Sequence, residues 1–185
     1  SPVLFKPVLT PASERPRLFV IVDTEEEFDW SAPFSRSNVS VTAIDEIGRL
    51  QDVLGRHGVV PTYVIDYPVA STAESARRLA AFARAGACQI GAHLHPWVSP
   101  PFVETVNTYN SYACNLGIDV ELDKIRLLRD AIEEHVGVTP RVYKAGRYGF
   151  GATTAQVIDV EYAGTLDWKV TELLAKDQPF EATVT

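Results

Sequence analysis

Short continuous apolar runs alternate along this chain with longer stretches whose apolar residues recur at helical spacing. Residues 18–22 (LFVIV) are uninterrupted and rich in β-branched side chains, which predicts a strand buried on both faces. After a polar loop, Thr42 stands where a helix cap belongs, and Ile44, Ile47, Leu50, Val53 and Leu54 follow at helical spacing until Gly58. Residues 59–65 (VVPTYVI) predict a second strand, with Pro61 near its start, where a strand tolerates it. Ser71 and Glu74 have capping-box spacing ahead of Leu79, Ala80, Phe82 and Ala83, and Gly86 closes that helix. A short third strand is expected at 88–92 (CQIGA). The loop over 93–117 carries Pro96, Pro100 and Pro101, and is longer than a compact domain spends without a use for it. A third helix over 122–136 turns Ile125, Leu128 and Ile132 inward and stops at Gly137. A fourth strand at 142–145, a glycine-rich turn, a helix at 154–160 and a strand near 162–166 complete the pattern.

Strand then helix, repeated without hairpin signals, implies an α/β fold: a parallel sheet wrapped by helices, either open and doubly wound or curled into a barrel. Residues 1–17 (SPVLFKPVLTPASERPR), punctuated by proline, read as an extended segment ahead of a single domain over 18–185. In such folds the carboxyl ends of the strands converge on one face, and that face holds the site.

Composition narrows the partners. The 185 residues suit one domain, and 17 basic against 24 acidic side chains leave a formal charge of -7 with no basic run able to track a phosphate backbone. Nucleic acid is therefore not an expected partner. Nor is a membrane, because no apolar run approaches the roughly 20 residues that span a bilayer. Two cysteines make no disulfide framework. The chain contains no methionine, which reads as a processed or trimmed piece that would hide any signal peptide. The compartment stays open, with the cytoplasm ahead.

The strand ends carry the chemistry. The first strand runs into Asp23, Thr24, Glu25, Glu26 and Glu27; the third into His93, Leu94, His95, Pro96 and Trp97; the fourth into Lys144, Gly146, Arg147 and Tyr148. Alternate side chains of an extended segment share a side, so His93 and His95 can face one ion, and Asp23 and Glu25 match that spacing. Two imidazoles and a carboxylate with one position open form a hydrolytic ligand set. Several carboxylates crowded into one mouth also call for a cation. The bland alternative is that the three glutamates form a solvated loop or sit at a helix amino terminus, with the histidines bonded inside their loop. Trp97, Tyr109, Tyr112 and Phe102 offer a sugar ring an apolar platform or simply pack the loop. Asp66 either touches substrate or caps a loop.

Three stretches, FVIVDTEEEFDW, QIGAHLHPWVSPP and VYKAGRYGFG, in that order and spacing, resemble the polysaccharide deacetylase family (NodB homology, carbohydrate esterase family 4), in particular a branch with an HLHPW-type second motif. The resemblance implies a distorted (β/α)7 barrel and a metal-dependent hydrolase that removes N-acetyl, or sometimes O-acetyl, groups from amino-sugar polymers, so a glycan or an N-acetylated small molecule is the expected partner. It implies Asp23 as general base and Glu25 and His93 as metal ligands. The family's second histidine falls on Trp97, so His95 serves instead. Lys144 stands where an arginine usually orients the base, with Arg147 close by as the other candidate. Zinc is the first expectation for the ion, with cobalt, nickel, iron and manganese open. An oxyanion donor is expected from the backbone near Tyr148, where glycines let the main chain approach.

Two departures accompany the resemblance. No histidine follows Arg147 to serve as the family's general acid, and the strands counted do not close a barrel of seven or eight, so the barrel is expected to be incomplete. The open edge leaves pairing with another copy as an option. Two rivals remain: a non-catalytic metal- or carbohydrate-binding module with the same mouth, and a nucleotide-binding domain suggested by the glycine-rich AGRYGFG turn.

Overall fold

The computed structural model describes residues 18–161. Its centre is a parallel sheet of β1 (Ile21–Thr24), β2 (Thr62–Ile65), β3 (Gln89–Leu94) and β4 (Tyr143–Ala145), in the order β1-β2-β3-β4. α1 (Ile47–Arg56) joins β1 to β2, α2 (Tyr67–Ser71) and α3 (Ala73–Arg84) join β2 to β3, and α4 (Ile118–Ala131) joins β3 to β4. α5 (Ala152–Glu161) follows β4. Sequential strands pair with sequential neighbours through helical crossovers, and the sheet curls into a half-barrel, the barrel alternative of the sequence pattern and the one the family resemblance implies. The expected segment 1–17 and the expected strand near 162–166 lie outside the described residues. No helix among the described residues is long and apolar enough to cross a membrane.

The core fills the space between the sheet and the helices. Ile65 and Leu94 from the strands meet Leu79, Ile125, Leu128 and Ile132 from the helices, all without exposure. Each such side chain contributes roughly 1.5–3 kcal/mol of burial. α4 keeps the inward stripe expected over 122–136 and ends through a π turn at Ile132–Val136 into Gly137, whose φ of 80° is the left-handed geometry a helix stop requires.

Three local expectations are corrected. The first strand starts three residues later than the apolar run, and Leu18 and Phe19 are exposed, because β1 is an edge of the described sheet and only one flank is covered. The expected second helix is two helices with a break at extended Thr72. Ser71 ends α2, and Glu74 pairs with Arg77 and Arg78 instead of completing a capping box. Thr42 does not cap its own helix: its hydroxyl donates to Glu27, whose carboxylate also accepts the Ala43 N–H at 2.7 Å. A carboxylate remote in sequence thus satisfies the amino end of the 3-10 turn Thr42–Glu46 that leads into α1.

Candidate metal centre

Pairing ends at Thr24 in β1 and at Leu94 in β3, with β2 between them, so Glu25 and His95 just past the strand ends and His93 near the end of β3 lie on the same rim of the sheet. Glu25 Oε2 lies 3.0 Å from His93 Nε2 and 3.4 Å from His95 Nε2. One donor atom from each of the three lies within 4.8 Å of the others. The far side of each ring is engaged: His93 Nδ1 sits 2.9 Å from the carbonyl of Lys144, and His95 Nδ1 sits 2.7 Å from Glu26 Oε2. A carbonyl can only accept, so His93 carries its proton on Nδ1 and, when neutral, aims a lone pair from Nε2 at the carboxylate. Acceptors that face one another need a proton or a cation between them. The donor set therefore fits a divalent transition ion by its chemistry, two imidazoles and one carboxylate with their outer atoms supported.

The electrostatics agree. Burial alone would raise the Glu25 pKa, but the hydrogen bond with His93, the positive charge the two imidazoles carry when protonated, and Lys144 outweigh it and hold the carboxyl below its ordinary value. Burial lowers the pKa of His95, against the pull of Asp66, Glu25 and Asp23, which keeps the ring neutral and able to ligate. Burial pushes Glu26 up to about 7 against its hydrogen bond with Asp66. Burial and the neighbouring Glu26 push Asp66 well up as well. The three consecutive glutamates thus do three different things. Glu25 faces the imidazoles from the mouth, Glu26 is buried behind His95, and only Glu27 behaves as the exposed helix-end acid of the bland expectation.

Asp23 stands beside this centre and receives Lys144 Nζ on Oδ2 at 2.5 Å. Of the two cations proposed at that position, Lys144 is the one in contact with Asp23. Arg147 turns away: its guanidinium lies over the Tyr112, Phe34 and Trp30 rings at 4.2, 5.0 and 5.7 Å and donates to the Ser111 hydroxyl. Tyr148 is 68% exposed, with its ring 4.8 Å from Lys144 Nζ. Arg147 and Tyr148 both adopt positive φ (53° and 56°), a strained geometry for non-glycine residues that costs about 1–3 kcal/mol each and collects at functional sites.

Other expected site residues are placed differently. Trp97 is 1% exposed and stacks on His95 at 4.4 Å, with Phe34 and Phe28 behind it, so it forms the wall of the centre and offers no open face. Asp66 is fully buried; it caps α2 through Val69 N–H and accepts Glu26 N–H, the loop-cap alternative. Tyr109 stands exposed on the long loop.

The glycine-rich turn is closed by protein. A Cβ at Gly146 would strike the Leu94 carbonyl and the His95 ring, one at Gly149 would meet Ala113 N at 3.1 Å, and one at Gly151 would meet Cys114 Cβ at 2.8 Å. Close packing accounts for these glycines without a phosphate, which removes the support for a nucleotide cradle.

Sequence reasoning missed Glu26, Gly146 and Lys124. The signal for the first was a count: two imidazoles have four nitrogens, and a single ion takes two, so two further acceptors had to exist. Lys124 hides in the inward stripe of α4 without exposure, and its ammonium holds the carbonyls of Pro96, Ser99 and Pro101 (3.0, 2.6 and 2.8 Å), bracing the loop behind His95.

No protein-family model matches the sequence, and no curated protein matches it. A solved structure does resemble it: the Xyl-CE4 domain of a multidomain xylanase from the hindgut metagenome of Trinervitermes trinervoides, at 16% identity and a TM-score of 0.51. The likeness covers 78% of this chain and 56% of that one, so the chain spans little more than half of that structure. At this identity it is the fold that is shared: the chain is built, in part, on the fold of a carbohydrate esterase family 4 domain, with carboxylates and imidazoles grouped so as to hold a metal ion.

Proposed function

We propose that this protein is a metal-dependent hydrolase of the polysaccharide deacetylase kind, of the HLHPW-type branch, that cleaves the C–N bond of N-acetyl amino sugars in a polysaccharide or related glycan. The observation that carries this reading is the convergence of Glu25, His93 and His95 beside the Asp23–Lys144 pair. Glu25, His93 and His95 would hold the ion, zinc first. A divalent cation supplies Lewis acidity there, lowering the pKa of water toward neutrality and polarising an acyl carbonyl.

The chain's own groups do the rest. Lys144 fixes the Oδ2 of Asp23 through their ion pair, so Asp23 is placed to take a proton from the water that attacks the acetyl carbon. The C–N bond then breaks, and the nitrogen receives a proton as it leaves. Asp23, now protonated and held beside the reacting centre by Lys144, returns that proton. Acetate and a free amine result. Exposed Tyr148 flanks the pair and offers a sugar ring a stacking face, and the backbone around it is the proposed oxyanion donor.

Trp97, enclosed against His95 where the family pattern has its second histidine, favours a second reading, a metal-dependent glycan binder without turnover. Elemental analysis together with acetate release from N-acetylated oligosaccharides separates the two. Wild type should bind about one ion per chain and release acetate. His93→Ala should lose the ion, and Asp23→Asn should keep the ion and lose acetate release. An ion without acetate under every divalent metal supports the binder; no ion under any metal defeats both readings.

A further inference from the structure

Glu26 is an acid with 2% exposure, enclosed behind the His95 ring together with Asp66 and Trp97. Its Oε2 lies 2.7 Å from His95 Nδ1. Its backbone N–H donates to Asp66 Oδ2 at 2.7 Å, and Asp66 Oδ1 in turn accepts Val69 N–H at 2.9 Å. Asp66 and His95 are equally enclosed, at 0% and 1% exposure. A continuous set of hydrogen bonds therefore runs from the first turn of α2 to the imidazole that faces Glu25.

A neutral imidazole has one N–H, and the partner of one nitrogen decides which of the two carries the lone pair. A carboxylate at Nδ1 selects the Nδ1–H form and directs the lone pair of Nε2 toward Glu25. The faces of the ring are also held. Trp97 stacks on it with an interplanar angle of 22°, and Gly146 approaches so closely that a Cβ there would collide with it. His93 reaches the same tautomer by a different partner, the neutral carbonyl of Lys144. The two imidazoles are thus not equivalent: a side-chain carboxyl supports His95, and a backbone carbonyl supports His93.

We propose that Glu26 is a positioning residue of the cation site: it fixes the tautomer and raises the basicity of His95, and Asp66 holds it there by its backbone. This rests on Glu25, His93 and His95 being the cation donors. Outer partners of this kind typically contribute a factor of about 10–100 to metal affinity.

Two measurements on the full chain test it. The first is the tautomer of His95 in metal-free wild type, read from two-bond 1H–15N correlations of labelled imidazoles. Nδ1–H is expected, and finding the proton on Nε2 overturns the proposal whatever any variant does. The second is calorimetric titration with Zn2+ or Co2+ of wild type, Glu26→Gln and Glu26→Ala. Affinity should fall about 10–100-fold in Glu26→Ala and less in Glu26→Gln, whose amide oxygen still accepts from Nδ1. In Glu26→Ala the His95 proton should also redistribute to Nε2, while His93 keeps its tautomer. Where the alanine variant does not fold, Glu26→Gln and the wild-type tautomer decide. Wild-type affinity in a folded Glu26 variant overturns the proposal, as does a second equivalent of cation that only the Glu26 variants lose, since Glu26 would then be a ligand. His95→Ala gives the reference: if it and His93→Ala bind as wild type does, the donor assignment has failed; if they lose the ion and Glu26→Ala keeps it, only the positioning role has failed.

Discussion

Lys144 Nζ meets Asp23 Oδ2 at 2.5 Å although the two residues stand on opposite edges of the four-stranded sheet. Neighbouring strands lie roughly 4.8 Å apart, so a flat sheet would hold β1 and β4 roughly 14 Å from each other, beyond what these two side chains span. The ion pair exists because the sheet curls, and the curl sets a cation from the last strand on the carboxylate of the first.

Replacing that cation tests the base. Lys144→Met should leave cation uptake intact and lower kcat for acetate release by about 100-fold, within the range of general-base catalysis. Lys144→Arg should recover part of the loss, since the charge is kept while the reach and geometry change. Both partners are partly exposed, so unfolding free energy should shift by less than about 1 kcal/mol. Parallel kinetics and cation titrations check this; equal activity of wild type and Lys144→Met would remove Lys144 from the mechanism.

Gly146 marks the tightest approach in the centre, beneath the His95 ring and against the Leu94 carbonyl. Gly146→Ala must displace backbone or imidazole, because neither neighbour is the far end of a flexible chain. We expect a destabilisation of about 1–3 kcal/mol from overpacking and a weaker cation site. Urea denaturation and cation titration of the same variant measure both. Full cation affinity in this variant would mean that the ring tolerates displacement.

The parallel order of the sheet was legible because β2 and β3 are covered on both sides, and their continuous apolar runs say so: Val64, Ile65, Ala92 and Leu94 have no exposure. The same rule misplaced β1, whose apolar run is an edge. That His93 and His95 share a side was legible from spacing, since alternation in an extended segment is local, whereas Glu25 as their partner came from the family resemblance. What Glu26, Lys124 and Gly146 do was not. Each acts across 28 to 69 positions of sequence, through Lys124 to Pro96, Gly146 to His95 or Glu26 to His95, and only the curl of the sheet and the packing of α4 bring those partners together. Trp97 stayed open between a sugar platform and loop packing for a related reason. A large aromatic after a histidine looks like a platform, yet the 3-10 turn Pro96–Val98 folds it inward onto the ring.

Lys124 places a charge where none can be hydrated, and it is tolerated because three carbonyls and Glu104, 3.0 Å away, surround it. Lys124→Met removes the donor and leaves Glu104 without its buried partner. Breaking such a pair typically costs about 3–5 kcal/mol, and Lys124→Met/Glu104→Gln should return part of it. The loop braced by Lys124 begins at Pro96, directly after His95, so the single variant should also weaken cation binding. Denaturation midpoints and titrations of both variants test the coupling; additive losses would show that the pair does not act as a unit.

Glu121 gives the protein a pH dependence separable from the cation site. It is fully buried in α4, accepts the Thr154 hydroxyl on Oε1, and its Oε2 has no hydrogen-bond partner. Burial raises its pKa above the ordinary 4.5, against the opposing hydrogen bonds of Thr154 and Thr153. In the interval above 4.5 the unfolded chain gives up this proton while the folded chain retains it, so the folded state binds more protons. Stability from this group is therefore whole below that interval and declines as pH rises through it, by at most about 1.4 kcal/mol per pH unit. Glu121→Gln keeps the shape and the acceptor for Thr154 but has no proton to lose. Relative to wild type, it should be nearly neutral at pH 4.5 and stabilising at pH 8. Urea midpoints of the two proteins across that range measure the difference, and curves that stay parallel would mean that Glu121 is as ionised in the folded state as in the unfolded one.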